Sequence, residues 1–384
     1  MISKQKKIKV LHIITNLPVG GAQDNTLITV EKLSREHYEV SLMSASDGDW
    51  LQRALKLQNV KLFFVNELVR RIHLLYDVIA LRKIYQIIKR EKYDIVHTHS
   101  SKPGFSGRIA AKIAKVPIII HTIHGFPFHD FMNPIIRKFF ILLERWLSKF
   151  SDVLITVSFL NQKKAIELKI AKPDKFVNIY SGICFEKFDI KIDIDAKRQE
   201  LGITNNEKVV GMIGRLSQQK SPQYFIQAIP EVLKSFPDTK FLLIGDGELR
   251  KELEKLIKRL HLNKKVSILG FRDDVPELLQ VLDIFVLSSC WEGLGRSLTE
   301  AMYLSRPVVA TNVEGVPELV IDKETGILVP SRDFKSISEA IIYIFQNPEK
   351  TKRFGKNARK KVSKHFNAGK MVTEIDRLYQ KLIQ

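Results

Sequence analysis

The chain has 384 residues, 45% hydrophobic and 27% charged, a balance that fits two folded domains of ordinary size and excludes a disordered or fibrous chain. No apolar segment approaches the roughly 20 residues of a membrane span, and two cysteines, Cys184 and Cys290, are too few for a disulfide framework or a thiolate metal site. Of the net charge of +20, about +14 lies in residues 1–185, so the N-terminal half either meets an anion (nucleic acid, an anionic membrane surface or a phosphorylated substrate) or is kept soluble by its charge.

A nucleic-acid partner would need a reading element, and the sequence has no zinc-finger spacing, no RNP-like aromatic strand and no basic region running into heptads. In chain order, MISKQKKIKVLHIITNLP opens with a basic lead, but its apolar run ends too soon for a signal peptide. A first strand and a cytoplasmic protein are expected instead. Short runs rich in Ile and Val follow (YEVSLMS, VKLFFV, YDIVHTH, PIIIHTI, DVLITVS), separated by stretches of helical period such as LRKIYQIIKREK and GRIAAKIAK. After Cys184 the alternation begins again with KVVGMIGRL, TKFLLIGDG, KVSILGF, DIFVLSS and PVVATN. Strand alternating with helix predicts an α/β fold of parallel sheets covered on both faces. Two such domains are expected, residues 1–184 and 185–369. FEKFDIKIDIDAKRQELG is the expected connection, and a final helix at about 370–384 packs back on the first domain.

In open parallel sheets ligands bind outside the carboxyl ends of the strands, so the loops there carry the chemistry. In LPVGGAQ, Gly20 and Gly21 stand between the first strand and a helix, where they either make a tight turn or leave amides open to an anion. HTIHGFPF lies in a region holding His97, His99, His121, His124 and His129. His97 and His99 share one strand face, so a metal site is weighed against satisfied polar residues, with no metal expected. His124, beside Gly125 at a strand end, is placed to reach a substrate hydroxyl or phosphate.

In GMIGRLSQQKSPQYF, Gly214 ends a strand, Arg215 follows, and Lys220 precedes Ser221 and Pro222, which read as a helix N-cap and first helical residue. Two cations at such a place suit a diphosphate. In WEGLGRSLTEAM, Ser297 and Glu300 have the spacing of a capping box. Glu292, before the turn, has no such structural use and could accept hydrogen bonds from sugar hydroxyls.

Glu292 and Glu300 with seven residues between them, followed by AMYLSRPVVATNVEGVPELV and TGILVP, resemble the signature of retaining glycosyltransferases of family 4. GRLSQQK, IGDGELR and GGAQ agree with that family, and THSSKPGFSGRIAAKIAKVPIIIHTIHGFPF is similar to its bacterial polysaccharide and lipopolysaccharide branch. The resemblance covers nearly the whole chain. It implies a GT-B fold: two Rossmann-like, doubly wound parallel-sheet domains facing across a cleft, the first on the acceptor side and the second holding the nucleotide-sugar donor.

The activity implied is retaining transfer, without metal or other cofactor, from a donor taken to be UDP-linked to a glycan or lipid-linked acceptor in cell-surface polysaccharide or lipopolysaccharide synthesis. Carried over by position, Arg215 and Lys220, beside Gly214, bind the diphosphate and stabilise its departure. Glu292 orients the sugar hydroxyls and Glu300 takes the ribose. Gly293, Leu294 and Gly295 offer backbone to sugar and phosphate, Gly20 and Gly21 close over the donor, and His124 contacts the sugar. The catalytic set is thus Arg215, Lys220, Glu292 and His124. Leu294 stands where many members carry an aromatic residue and Arg296 where an apolar one is common, which leaves the sugar open.

Negative charge builds on the departing diphosphate, so fixed cations and helix amides there stabilise the transition state, and no protein nucleophile is named. Three rival readings are weighed. Asp47-Gly48-Asp49 or Asp193-Ile194-Asp195 could serve as a DxD metal motif; the fold could serve a nucleotide-sugar epimerase; or the chain could be a non-catalytic membrane-surface or carbohydrate-binding protein. NPIIRKFFILLERWLSKF, read as a helix, gathers Ile135, Ile136, Phe139, Phe140, Leu143, Trp146, Leu147 and Phe150 on one face flanked by cations. That face suits either an interfacial helix or one packed inward.

Overall fold

The computed structural model describes residues 6–384; the start of the basic lead, residues 1–5, lies outside the described residues. The chain divides into two compact units. One runs up to Gly182 and includes Ala368–Gln384, and the other is Ile183–Asn367.

The strands of the first unit are β1 (Ile8–Ile13), β2 (Tyr38–Ser44), β3 (Val60–Phe64), β4 (Ile95–His99), β5 (Ile118–Ile123), β6 (Val153–Thr156) and β7 (Phe176–Asn178). They form one parallel sheet in the order β3-β2-β1-β4-β5-β6-β7. The second unit contributes β8 (Lys208–Ile213), β9 (Thr239–Ile244), β10 (Val266–Gly270), β11 (Ile284–Leu287), β12 (Val308–Thr311) and β13 (Ile327–Val329), ordered β10-β9-β8-β11-β12-β13 and again parallel. The expected α/β architecture of two Rossmann-like units is what the chain adopts. The three-residue strands β7 and β13 are additions to the strands read from sequence.

Parallel strands sit between two helical layers, so their side chains are buried on both faces, and β5 is buried at every residue. Right-handed crossovers put the helices that follow β3, β4 and β5 on one face, because these strands are laid down in the opposite direction from β1 to β3. The helices Leu74–Glu91 and Ser101–Ile113 pack together over a core of Leu11, Ile13, Ile84, Val96, Ala110 and Ile119. On the other face, Ala368–Ile383 packs against Gly21–Lys32.

Gly104 and Gly245 stand where close approach needs glycine. A Cβ on Gly104 would meet His121 Cε1 at 2.5 Å, and one on Gly245 would meet the Gly214 carbonyl oxygen at 2.1 Å. The helix Ser101–Ile113 is tied to Pro134–Ser148 by a buried ion pair, Arg108 to Glu144 at 3.0 Å. In the second unit, residues 185–202 are not a free connection: Phe185 and Phe188 are buried, and Phe185 stacks on Tyr303 at 4.1 Å.

Candidate functional site

In each sheet the strand order reverses at one place, between β1 and β4 and between β8 and β11. The carboxyl ends of such neighbouring strands diverge into loops with room between them for a ligand. Gly20 and Gly21 follow β1 at the first, Arg215, Lys220 and Glu292 follow β8 and β11 at the second, and His124 follows β5, next to β4.

In the second unit, Lys220 follows β8 and Glu292 follows β11, and the structure brings them into contact: Lys220 Nζ donates to Glu292 Oε1. The same oxygen accepts from Ser289 Oγ at 2.7 Å. The Glu292 backbone N–H donates to Glu314 Oε2 at 3.0 Å. Glu292 is 5% exposed, so its carboxylate is held by charge and hydrogen bonds rather than by water. No motif spacing in the sequence marks Ser289 or Glu314 as a site residue. Glu314 lies in the loop after β12 at a φ of 43°, and only the fold brings it to Glu292.

Arg215, by contrast, is exposed and makes no ion pair among the described residues. The Lys220 stem runs over Gly214, its Cε 3.4 Å from where a Cβ there would stand. The loop is fixed by its neighbour after β9: Leu216 N donates to the Asp246 carbonyl at 3.0 Å, and Leu249 N to the Leu216 carbonyl at 3.0 Å. The following helix, Pro222–Ser235, starts where expected, with Ser221 at its N-cap and proline first. Ser221 does not cap it with its side chain, however; that hydroxyl donates to the Gln218 carbonyl at 2.6 Å.

The capping-box alternative for Ser297 and Glu300 is corrected. The helix is Arg296–Tyr303 and its N-cap is Gly295 at a φ of 101°, a left-handed conformation open to glycine. Ser297 instead donates to the Ile213 carbonyl at 2.9 Å, tying this helix to the end of β8. Glu300, a turn further on, is buried and accepts from Arg296 Nε at 2.8 Å. Gly293 is half-buried, and Leu294 turns its side chain into the protein at 5% exposure, so this turn presents backbone.

In the first unit, Gly20 is the N-cap of the helix Gly21–Lys32, in extended backbone and with no side-chain cap. His97 and His99 do share a face of β4, their rings stacked at 4.2 Å. His12 of β1, which the sequence reading passed over, joins them, and the ligating atoms of the three rings lie within 4.8 Å of one another. His121 turns away to Thr98, its Nδ1 2.9 Å from the hydroxyl. His124 is half-buried with Nε2 3.2 Å from His99 Nδ1. Burial holds the ring of His12 down to about 3 and that of His124 to about 4, and lowers His97, His99 and His121 as well. All five are neutral imidazoles at neutral pH.

Both acidic pairs weighed as metal motifs have local partners. Asp193 caps Ile194–Glu200, accepting from Ala196 N at 3.0 Å. Asp47 accepts from Asn16 Nδ2 and Asp49 from the Val19 amide, each at 3.3 Å.

The apolar helix Pro134–Ser148 divides its large residues between two sides. Ile141 and Leu147 face inward, whereas Ile135, Ile136, Phe139, Leu142 and Trp146 are exposed. Inward packing alone therefore does not account for that face. No helix among the described residues is long and apolar enough to cross a membrane.

Two family models match the chain. The model of Glycosyltransferase Family 4 matches residues 19–187, and that of Glycosyl transferases group 1 matches residues 193–361. The chain is 34% identical to UDP-Gal:alpha-D-GlcNAc-diphosphoundecaprenol alpha-1,3-galactosyltransferase of Escherichia coli, over 99% of this chain and 98% of that protein. It is 30% identical to N-acetyl-alpha-D-glucosaminyl L-malate synthase of Bacillus anthracis over 80% of each. The crystal structure of Anabaena HepE in complex with UDP superimposes with a TM-score of 0.81 at 25% identity, covering 97% of this chain and 100% of that one. The chain belongs to the family 4 glycosyltransferases and has their GT-B fold.

Proposed function

We propose that the protein transfers a sugar from a UDP-linked donor to a lipid-linked diphosphate acceptor in cell-surface polysaccharide synthesis, with retention and without a metal ion. The full-length similarity to the E. coli galactosyltransferase carries this reading. In the second unit, Lys220 is positioned by Glu292 at the β8–β11 reversal, and Arg215 is exposed in the same loop after β8. These two cations neutralise the diphosphate as it leaves, the work a metal does in other transferases. Glu292 sits one hydrogen bond from Lys220 and orients the sugar hydroxyls next to the bond being broken. Glu300 binds the ribose, and the backbone of Gly293, Leu294 and Gly295 lines the donor. In the first unit Gly20 and Gly21 offer backbone at a helix start, and His124 contacts the sugar.

The test is transfer in excess chelator from UDP-galactose, UDP-glucose and UDP-N-acetylglucosamine to undecaprenyl-diphosphate-linked N-acetylglucosamine. The anomer formed from an α-linked donor is read by NMR. An α product with chelator present is expected. A β product would end the retaining assignment, activity restored only by added metal would end the metal-free one, and donor conversion without acceptor would favour an epimerase.

The same reading puts the first unit at an anionic membrane surface. Ile135, Phe139, Leu142 and Trp146 form one exposed stripe at helical spacing, flanked by Lys138 and Lys149. Ile72, Leu74, Leu75 and Val78, around the start of Leu74–Glu91, are also exposed, Leu74 at 82%. Sedimentation with vesicles containing phosphatidylglycerol tests this; binding lost on Phe139→Ser with Trp146→Ser supports it, and no binding at low salt removes it.

A further inference from the structure

The histidines of the first unit do more than fill space at the β1–β4 reversal. His12 and His97 are register partners on adjacent strands, and a continuous run of hydrogen bonds passes through them. It starts at Thr122 Oγ1, 2.6 Å from His97 Nε2, and His97 Nδ1 lies 2.6 Å from the Tyr379 hydroxyl. The same hydroxyl is 3.4 Å from His12 Nε2, His12 Nδ1 is 2.9 Å from His99 Nε2, and His99 Nδ1 is 3.2 Å from His124 Nε2. His12, His97 and Tyr379 are fully buried and His99 is 2% exposed.

A neutral imidazole has one N–H and one lone pair, and a phenol has one proton. Each ring that donates on one side must therefore accept on the other, and the run from Tyr379 to His124 has a single sense. If Tyr379 accepts from His12, His12 accepts from His99 and His99 accepts from His124; if Tyr379 donates to His12, it accepts from His97 and the bonds to His99 and His124 run the other way. Threonine can end the run in either sense. The hydrogen on Nε2 of His124, and so the donor or acceptor character of its Nδ1, is linked to a tyrosine on the helix Ala368–Ile383.

We propose that His99, His12 and Tyr379 are positioning residues that tie the neutral tautomer of His124 to the single proton of Tyr379, so that its Nδ1 meets the substrate with a hydrogen-bonding sense set through the run. This rests on the reading that His124 contacts the transferred sugar. A ring whose partner is fixed costs no reorganisation when the sugar arrives, and the wrong tautomer would offer a donor where an acceptor is needed, or the reverse.

The experiment is long-range proton–nitrogen NMR of the whole protein labelled in its histidine rings, with His124 assigned by its loss in His124→Ala, alongside steady-state kinetics. Wild type is expected to show His124 as one neutral tautomer. Tyr379→Phe, which keeps the ring, is expected to populate both tautomers and to lower kcat about tenfold with donor KM little changed. His99→Gln, whose amide both donates and accepts, is expected to retain more activity than His99→Leu. An unchanged tautomer and unchanged kcat in both Tyr379→Phe and His99→Leu would overturn the proposal. So would added zinc binding stoichiometrically with shifts at His12, His97 and His99, because a metal would take the lone pairs the run uses. Full turnover by His124→Ala would remove the sugar-contact reading itself, whatever the tautomer spectra show.

Discussion

Lys220 and Glu292, 72 residues apart in sequence, form one ion pair at the β8–β11 reversal, and Ser289 donates to the same Glu292 oxygen at 2.7 Å. The cation assigned to the diphosphate is thus oriented by the carboxylate assigned to the sugar. Lys220→Ala and Glu292→Gln are each expected to lower kcat by about 10²–10³. The double variant should fall well short of the product of the two losses, because either change already releases the pair. Losses that multiply fully would show that the two residues act independently.

Arg296 holds Glu300 at 2.8 Å from the same helix. Replacing it with leucine leaves a buried carboxylate without that guanidinium and frees its rotamer. Donor KM is expected to rise about three- to tenfold with kcat nearly unchanged, as for an interaction made equally in ground and transition states. Arg296→Lys should restore little, since an ammonium lacks the planar Nε geometry. An unchanged KM in the leucine variant would separate Glu300 from nucleotide binding.

Acid should weaken the first unit. His12 takes a proton near pH 6.5 when unfolded but only near 3 when folded, because burial disfavours its charge. Between those values the unfolded chain binds more protons, so stability is fully present above about pH 6.5 and is lost as pH falls toward 3. At pH 5 the loss from His12 alone is about 2 kcal/mol. His124, His97, His99 and His121 add to it in the same direction. Melting followed from pH 8 to 4 should show a steep fall below pH 6.5 that His12→Phe makes shallower; a flat profile would contradict the neutral buried rings.

Arg108 is fully buried and answered by Glu144 across two helices. Glu144→Leu strands that charge and is expected to cost about 3–5 kcal/mol. Arg108→Met combined with Glu144→Leu should recover most of it. Urea denaturation of the three variants checks this, and an additive double variant would contradict the coupling.

Much of this was legible in the sequence where a pattern repeats locally. β1 to β6 and β8 to β12 are apolar runs long enough to stand out, whereas β7 and β13 have only three residues each and carry no period. Arg215, Lys220, Glu292 and Glu300 follow strands of the second sheet, and a loop motif announces them. Ser289 and Glu314 do not announce themselves, because their partner is Glu292 in space and neither spacing is a known pattern. His12 lies inside an apolar run and Tyr379 inside an amphipathic helix, and neither period distinguishes a bonded polar group from a filler of the core. The capping-box alternative failed because spacing alone cannot show that Gly295 takes a left-handed turn two residues before Ser297. The stripe through Leu142 was invisible for a related reason: an apolar face tells a helix how to turn, but not what covers it.

The seating of Ala368–Ile383 in the first unit governs the order in which the protein can be made. The second unit, Ile183–Asn367, is one uninterrupted stretch and can complete itself as it leaves the ribosome, as contiguous domains do. The first unit cannot, since Tyr379 and Asp376, which answer His97 and Tyr38, emerge only after the second unit has been made. The half that begins first finishes last, and until then its buried histidines and the face that receives the returning helix stand open to chaperones and proteases.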